Sequence, residues 1–226
     1  MAVFRPPTAI RTPRLSNGWT KRSIRRKAKP KRRFPPEVLT DMEVRALMAA
    51  CSSRSASGIR NRALIALLYR SGLRLSEALD LYPKDVDFDR GAIRVLNGKG
   101  GKSRVIPFGP RLENRLRLWF SREDLKPSDY LWPIRPGGYY LQRSSTMGNT
   151  SFQKWYGDCL AAADVEYRNP HVTRHTFATR WLRRGGRLET LSRVMGHSSI
   201  KTTHDLYAHL DTSDVLRDLQ VIEGGK

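Results

Sequence analysis

The chain has 226 residues, 39% of them hydrophobic, and carries 42 Lys or Arg against 21 Asp or Glu, a formal net charge of +21. That length suits one or two globular domains, the charge draws polyanions, and no stretch of eighteen apolar residues is present that would cross a membrane. A basic N-terminus with no apolar segment behind it argues against a secretory signal, and two cysteines, Cys51 and Cys159, are too few for a disulfide scaffold and suit a reducing cytosol.

Residues 1–36 hold twelve Lys or Arg and no acid; the first carboxylate is Glu37. Trp19 and Phe34 are the main large apolar anchors there, so the segment cannot bury enough surface to fold alone. It reads either as an arm for DNA phosphates, with Arg25, Arg26, Lys31, Arg32 and Arg33 as contacts, or as a solubilising tail. The other 30 basic residues face all 21 acids, which leaves +9 on residues 37–226.

The folded part is expected from residue 37 onwards. Thr40-Asp41-Met42-Glu43 is a capping box, opening a helix that runs towards Cys51. Residues 52–58 form a polar loop. A second helix carries Leu64, Ile65, Leu67 and Leu68 and breaks at Ser71-Gly72; a short third one starts after Arg74 and holds Glu77, Leu79 and Leu81. The period then changes. Residues 92–96 alternate like a strand, residues 97–102 (Asn-Gly-Lys-Gly-Gly-Lys) are turn chemistry, and residues 104–108 form the returning strand. Helices follow over 110–120 and 151–163. Asn169-Pro170 reads as an N-cap with proline in the first helical position, and that helix runs to Arg184. Residues 188–195, 200–210 and 214–222 are three further short helices. The fold class is therefore α+β, mainly α-helical with a small antiparallel sheet.

Cleaving a phosphodiester builds charge on the non-bridging and leaving oxygens. Fixed cations answer the first need and a proton donor the second. The planar fork of arginine pairs with two phosphate oxygens at once. Arg74 follows a glycine break at a helix start, and His171 and Arg174 share a helix face three residues apart. Tyr207 offers a phenol nucleophile. Taken singly, each has a plainer reading: a solvated arginine, a structural histidine, a core tyrosine, a turn lysine. No Asp/Glu cluster with metal-ligand spacing stands out, which agrees with a reaction that needs no metal.

Their order along the chain carries more. Residues 69–79 (Tyr-Arg-Ser-Gly-Leu-Arg-Leu-Ser-Glu-Ala-Leu), the lysine hairpin at 97–107, residues 171–179 (His-Val-Thr-Arg-His-Thr-Phe-Ala-Thr), Met195-Gly196-His197, and Tyr207-Ala208-His209 resemble, in sequence, the boxes of the tyrosine recombinases, the phage integrase and Xer-type family. The likeness covers roughly residues 37–215. It implies the DNA breaking-rejoining catalytic fold. It also implies that Arg74 and Arg174 clamp the scissile phosphate and that Tyr207 attacks it to give a 3′-phosphotyrosyl bond. Lys99 would protonate the leaving 5′-oxygen, His171 would assist proton transfer to or from the tyrosine, and His197 would position the phosphate. Glu77 matches an acid that orients Arg74. Lys102 competes with Lys99, and Lys102 and Arg104 are further DNA contacts. His175, His204 and His209 compete for the imidazole roles, with His175 read as structural. Tyr207 lies ten positions after His197, where many members have nine.

The resemblance makes the chain a site-specific recombinase or integrase, a cytoplasmic DNA-associated enzyme of mobile elements that needs no cofactor, metal or ATP. Its partners would be double-stranded DNA, one or three further copies of itself on that DNA, and accessory DNA-bending proteins; no membrane is involved. Residues 1–36 would be the arm, and residues 37–226 the catalytic domain with a tail helix bearing Val215, Leu216, Leu219 and Ile222 that either docks on a neighbour or packs on its own core. Family members usually carry a helical clamping domain upstream, so the chain is either a cut-down fragment or a compact member whose arm partly replaces the clamp. The rival readings are a non-catalytic DNA-binding regulator of the same fold, a topoisomerase IB-like nicking-closing enzyme, and a basic RNA-binding protein.

Overall fold

A computed structural model of the chain describes residues 37–96, 103–134 and 142–207, with backbone alone at 134 and 142–146. The basic arm, Lys99, Lys102, His209 and the expected helix over 214–222 lie outside the described residues. Eight α-helices and five short strands are described: α1 (Asp41–Ala50), α2 (Ala56–Ser71), α3 (Leu75–Leu79), β1 (Val86–Asp87), β2 (Ala92–Val95), β3 (Arg104–Pro107), α4 (Pro110–Arg122), β4 (Pro133–Ile134), β5 (Gln142–Thr146), α5 (Asn149–Ala162), α6 (Val172–Arg183), α7 (Leu188–Met195) and α8 (Ile200–Tyr207).

The capping box forms as expected: Glu43 N donates to Thr40 Oγ1 at 3.1 Å and Thr40 N to Glu43 Oε2 at 2.6 Å. The second helix begins earlier than expected, because Ser55 caps it and its hydroxyl accepts from Gly58 N at 3.1 Å. Buried almost all round, α2 keeps Leu64, Ile65, Leu67 and Leu68 at 1% exposure or less, the pattern of a helix at the centre of a core. It stops at Gly72, whose φ of +66° favours glycine and where any Cβ would run into the Phe177 ring. Leu81 falls outside α3, which ends at Leu79.

Strands β1, β2 and β3 form one antiparallel sheet in that order, with Ile93 opposite Ile106 and Val95 opposite Arg104. The sequence reading missed β1 and the separate β4–β5 pair. The indoles of Trp119 and Trp132 donate to the carbonyls of Leu131 (2.9 Å) and Ala78 (2.6 Å), fastening α4 and the stretch before β4 to α3. On α5, Phe152, Tyr156 and Leu160 complete this main core. Cys51, at the end of α1, and Cys159, on α5, are both free thiols, with sulfurs 3.6 Å apart.

Helix α6 begins two residues later than expected. Asn169 and Pro170 instead make a tight lead-in turn: Val172 N donates to Asn169 O (2.8 Å), Thr173 N to Pro170 O (3.1 Å), and Asn169 Oδ1 accepts from His171 N (2.9 Å). A second core of Ala178, Leu191, Met195 and Tyr207 joins α6, α7 and α8. Helix α7 ends on Gly196 at φ +64°. Among the described residues no helix is long and apolar enough to cross a membrane, and no group of three or more His, Cys, Asp or Glu is placed to hold a metal ion.

Candidate active site

The C-terminal end of α7 is the hub of the site. The last carbonyls of a helix have no partner inside it and form the negative end of its dipole. Here three consecutive ones are taken by three arginines from three other elements. Arg104 Nε, from β3, donates to Val194 O at 2.8 Å; Arg174 Nη2, from α6, to Met195 O at 2.7 Å; and Arg74 Nη2, from the α2–α3 turn, to Gly196 O at 3.3 Å. Arg174 also donates from Nη1 to Gly72 O, so the positive-φ glycines that end α2 and α7, Gly72 and Gly196, both supply carbonyls to the arginine cluster. It is 2% exposed. Burial first, then the charge of Arg74, pulls its guanidinium down to about 10, which leaves it a cation at neutral pH.

Glu77 is the counterion. Its Oε1 accepts from Arg74 Nη1 at 2.7 Å and Arg104 Nη1 at 3.1 Å, and its Oε2 accepts from Arg104 Nη2 at 2.7 Å and Arg74 N at 2.9 Å. Burial pushes its carboxyl up, but the bonds from Arg104 and the Arg74 backbone, with the Arg104 charge, outweigh it and hold the group at about 2. Its folded value is thus below the ordinary 4.5. The stability it contributes is therefore present above pH 4.5 and lost as the pH falls towards 2. Glu77→Gln should cost about 2 kcal/mol at pH 7, because it leaves buried guanidinium groups without a counterion. Urea unfolding at pH 7 and pH 3 checks this: the gap between wild type and variant should narrow at pH 3, and equal stability at pH 7 would contradict it.

One carboxylate among three arginines leaves the cluster two charges positive, and the imidazoles add none at neutral pH. His197, next along from the hub, is half-buried and pairs through Nδ1 with Thr203 Oγ1 at 2.6 Å. Burial, then the charges of Arg174 and Arg74, lowers it to about 4. His171 caps α6 at the exposed edge of the site. Its pKa is lowered by the partial enclosure of its ring, then by Arg174 and Arg74. Its ring stands edge-on to His175 at 4.8 Å between centroids.

Tyr207 ends α8 at 1% exposure. Burial raises its phenol to about 12, against the pull of Arg174. Its hydroxyl lies 2.7 Å from Nδ1 of His175, the histidine read from sequence as structural. Spacing held a signal for this: His175 is one turn from His171 on the same face of α6.

Of the residues expected at the site, the fold gathers Arg74, Glu77, Arg174 and His197 around the end of α7, with His171 on the Arg174 helix. Arg104, expected at DNA, turns inward instead. Its side chain is 11% exposed and its fork is occupied by Glu77 and Val194. The correction has a simple cause, since Arg104 and Ile106 lie on the same, buried face of β3. His204 stands exposed on α8.

The phage integrase family model matches residues 37–214. The chain belongs to the phage integrase family. It is 35% identical over 186 residues to tyrosine recombinase XerC of Xanthomonas campestris pv. campestris (strain B100), covering 82% of this chain and 55% of that relative. It is 34% identical over 181 residues to tyrosine recombinase XerD of Ralstonia nicotianae, covering 77% and 56%. The chain thus spans about half the length of the curated relatives it matches. Among solved structures it is similar to the XerA recombinase, with a TM-score of 0.66 at 28% identity over 86% of this chain and 67% of that one. It is also similar to the XerH site-specific recombinase in a post-cleavage complex with a palindromic difH substrate, at 0.64 and 26% over 84% and 54%. The catalytic domain of bacteriophage HP1 integrase shares the fold, at 0.57 and 22% over 83% and 94%. The expected fold class, a mainly helical recombinase catalytic domain with a small antiparallel sheet, is the one found, with the β4–β5 pair as an addition.

Proposed function

We propose that this family member is the catalytic part of a site-specific DNA recombinase, which cuts and rejoins DNA through a 3′-phosphotyrosyl intermediate. The observation that carries the reading is the pair of guanidinium groups, Arg74 and Arg174, fixed on the adjacent carbonyls of Gly196 and Met195 beside His197. A guanidinium has five N–H donors, so each arginine keeps three for a ligand after the bonds to its own carbonyls and to Glu77 are made. The unbalanced charge of the cluster asks for an anion, and a phosphodiester suits the planar forks.

In this scheme Tyr207 Oη attacks phosphorus, and the bond from phosphorus to the 5′-oxygen breaks. Arg74 and Arg174 neutralise the charge on the non-bridging oxygens. Lys99 gives the 5′-oxygen its proton. His171, neutral at physiological pH, takes part in moving the phenol proton. His197 hydrogen-bonds the phosphate, and Thr203 fixes its ring. Glu77 and Arg104 position the clamp. The phosphotyrosyl bond keeps the phosphodiester energy, so a 5′-hydroxyl attacks it and rejoins the strand without ATP.

Double-stranded DNA is the substrate. Two or four copies would pair two sites, helped by DNA-bending proteins, in the cytoplasm. Residues 1–36 serve as a basic arm on the flanking phosphates through Arg25, Arg26, Lys31, Arg32 and Arg33, with Lys102 adding a contact from the hairpin. The similarity to XerH, whose structure holds a difH substrate after cleavage, supports DNA as partner.

The test is covalent capture. The full chain is incubated with a nicked suicide duplex bearing its site, and the products are separated under denaturing conditions. A denaturation-resistant protein–DNA adduct, mapped by mass spectrometry to the peptide containing Tyr207, is expected. An adduct on another residue would overturn the assignment, and no adduct on any site taken from its own element would overturn the activity.

A further inference from the structure

Tyr207 sits among Ala178, Leu191 and Met195 at 1% exposure. Among the described residues its hydroxyl is bonded to His175 and to none of Arg74, Arg174 or His197, so the arrangement described is one in which the nucleophile is held off the clamp. What holds it is specific. The phenol lies 2.7 Å from His175 Nδ1, with the two rings tilted at 55° and 6.1 Å apart. A neutral imidazole with its proton on Nε2 accepts there from the phenol O–H. His175 has no part in the proton route through His171.

An imidazole in this place could act as a base or as a holder, and the groups around it favour the second. Burial, then the charges of His171 and Arg174, keeps His175 at about 4, while burial raises the phenol to about 12. A proton passed from that phenol to that imidazole runs far uphill, whereas a shared hydrogen bond has no such cost.

We propose that His175 is a positioning residue that holds the Tyr207 hydroxyl in a buried resting site, and that this bond breaks when DNA fills the arginine pocket and the phenol is delivered to it. The inference rests on Tyr207 being the nucleophile. It makes His175 a restraint on the reaction, so its removal speeds the first cleavage.

The experiment is single-turnover adduct formation by the full chain on the nicked suicide duplex. His175→Leu should form the adduct about fivefold faster than wild type, the size of one net hydrogen bond. His175→Asn, whose side-chain amide can again bond the phenol, should return the rate towards wild type. A folded His175→Leu chain with an unchanged or lower rate would overturn the holding role. Should that variant fail to fold, the wild type decides. The 13Cζ signal of Tyr207, identified by its loss in Tyr207→Phe, should move when the chain binds an uncleavable duplex; a signal that DNA leaves in place sinks the idea. The two readings fail separately: an adduct that survives Tyr207→Phe removes the nucleophile itself, whereas one that needs Tyr207 but ignores His175 removes only the restraint.

Discussion

Tyr207→Phe should yield a protein that folds and binds DNA but never becomes joined to it. The change deletes one oxygen and keeps the ring that fills the space between α6, α7 and α8. The lost bond to His175 should cost about 1 kcal/mol of stability, far less than the roughly 3–5 kcal/mol expected when a buried aromatic is cut back to alanine. DNA affinity, carried by phosphate contacts, should stay within about threefold of wild type, because the phenol is buried in the free protein. Adduct formation, by contrast, should fall below detection. Side-by-side gel-shift and suicide-duplex assays test this; any Tyr207→Phe adduct above background would contradict it.

Arg174→Lys should be nearly as damaging, and for a reason that charge alone does not supply. The arginine side chain, 2% exposed, bridges Gly72 O and Met195 O with two nitrogens of one rigid plane and still has donors to offer. A lysine ammonium is a single point on a flexible stem. It cannot span both carbonyls and meet a phosphate as well, so one buried carbonyl is left unpaired at a cost of about 1–3 kcal/mol. Cleavage should slow by about 100- to 1000-fold, the usual effect of losing a preorganised donor at a developing anion. The unfolding midpoint should fall modestly, and DNA binding should weaken less than tenfold. A cleavage rate within threefold of wild type would show that position 174 supplies only charge.

Much of the architecture could be read from local rules. The break at Gly72, the capping box at Thr40, the two strands flanking the glycine turn and the extent of α7 all follow from short-range chemistry, and the structure has them. The boundaries that moved did so where a side chain offered an alternative bond: Ser55 starting α2 early, Asn169 tightening a turn ahead of α6. The β4–β5 pair had no pattern to announce it, since Pro133 and Ile134 make too short a strand for alternation to register. At the site, box order pointed to Arg74, Arg174 and His171, but the direction of each side chain was tertiary information. Arg104 looked like one more cation on a basic chain until its place beside Ile106 on β3 turned it inward. His175 looked structural because its place one turn from His171 puts it on the site's face of α6 without saying that α8 brings a phenol to it.

The three arginines that share the end of α7 come from positions 74, 104 and 174 and meet carbonyls at 194 to 196. A nascent chain that has not yet emitted residues 194–196 possesses every one of those guanidinium groups, with Glu77 and the Gly72 carbonyl to pair them, but lacks the helix end that gathers all three. The arginine cluster therefore acquires its full geometry only once α7 has been made, although two of its three arginines precede that helix by seventy residues or more.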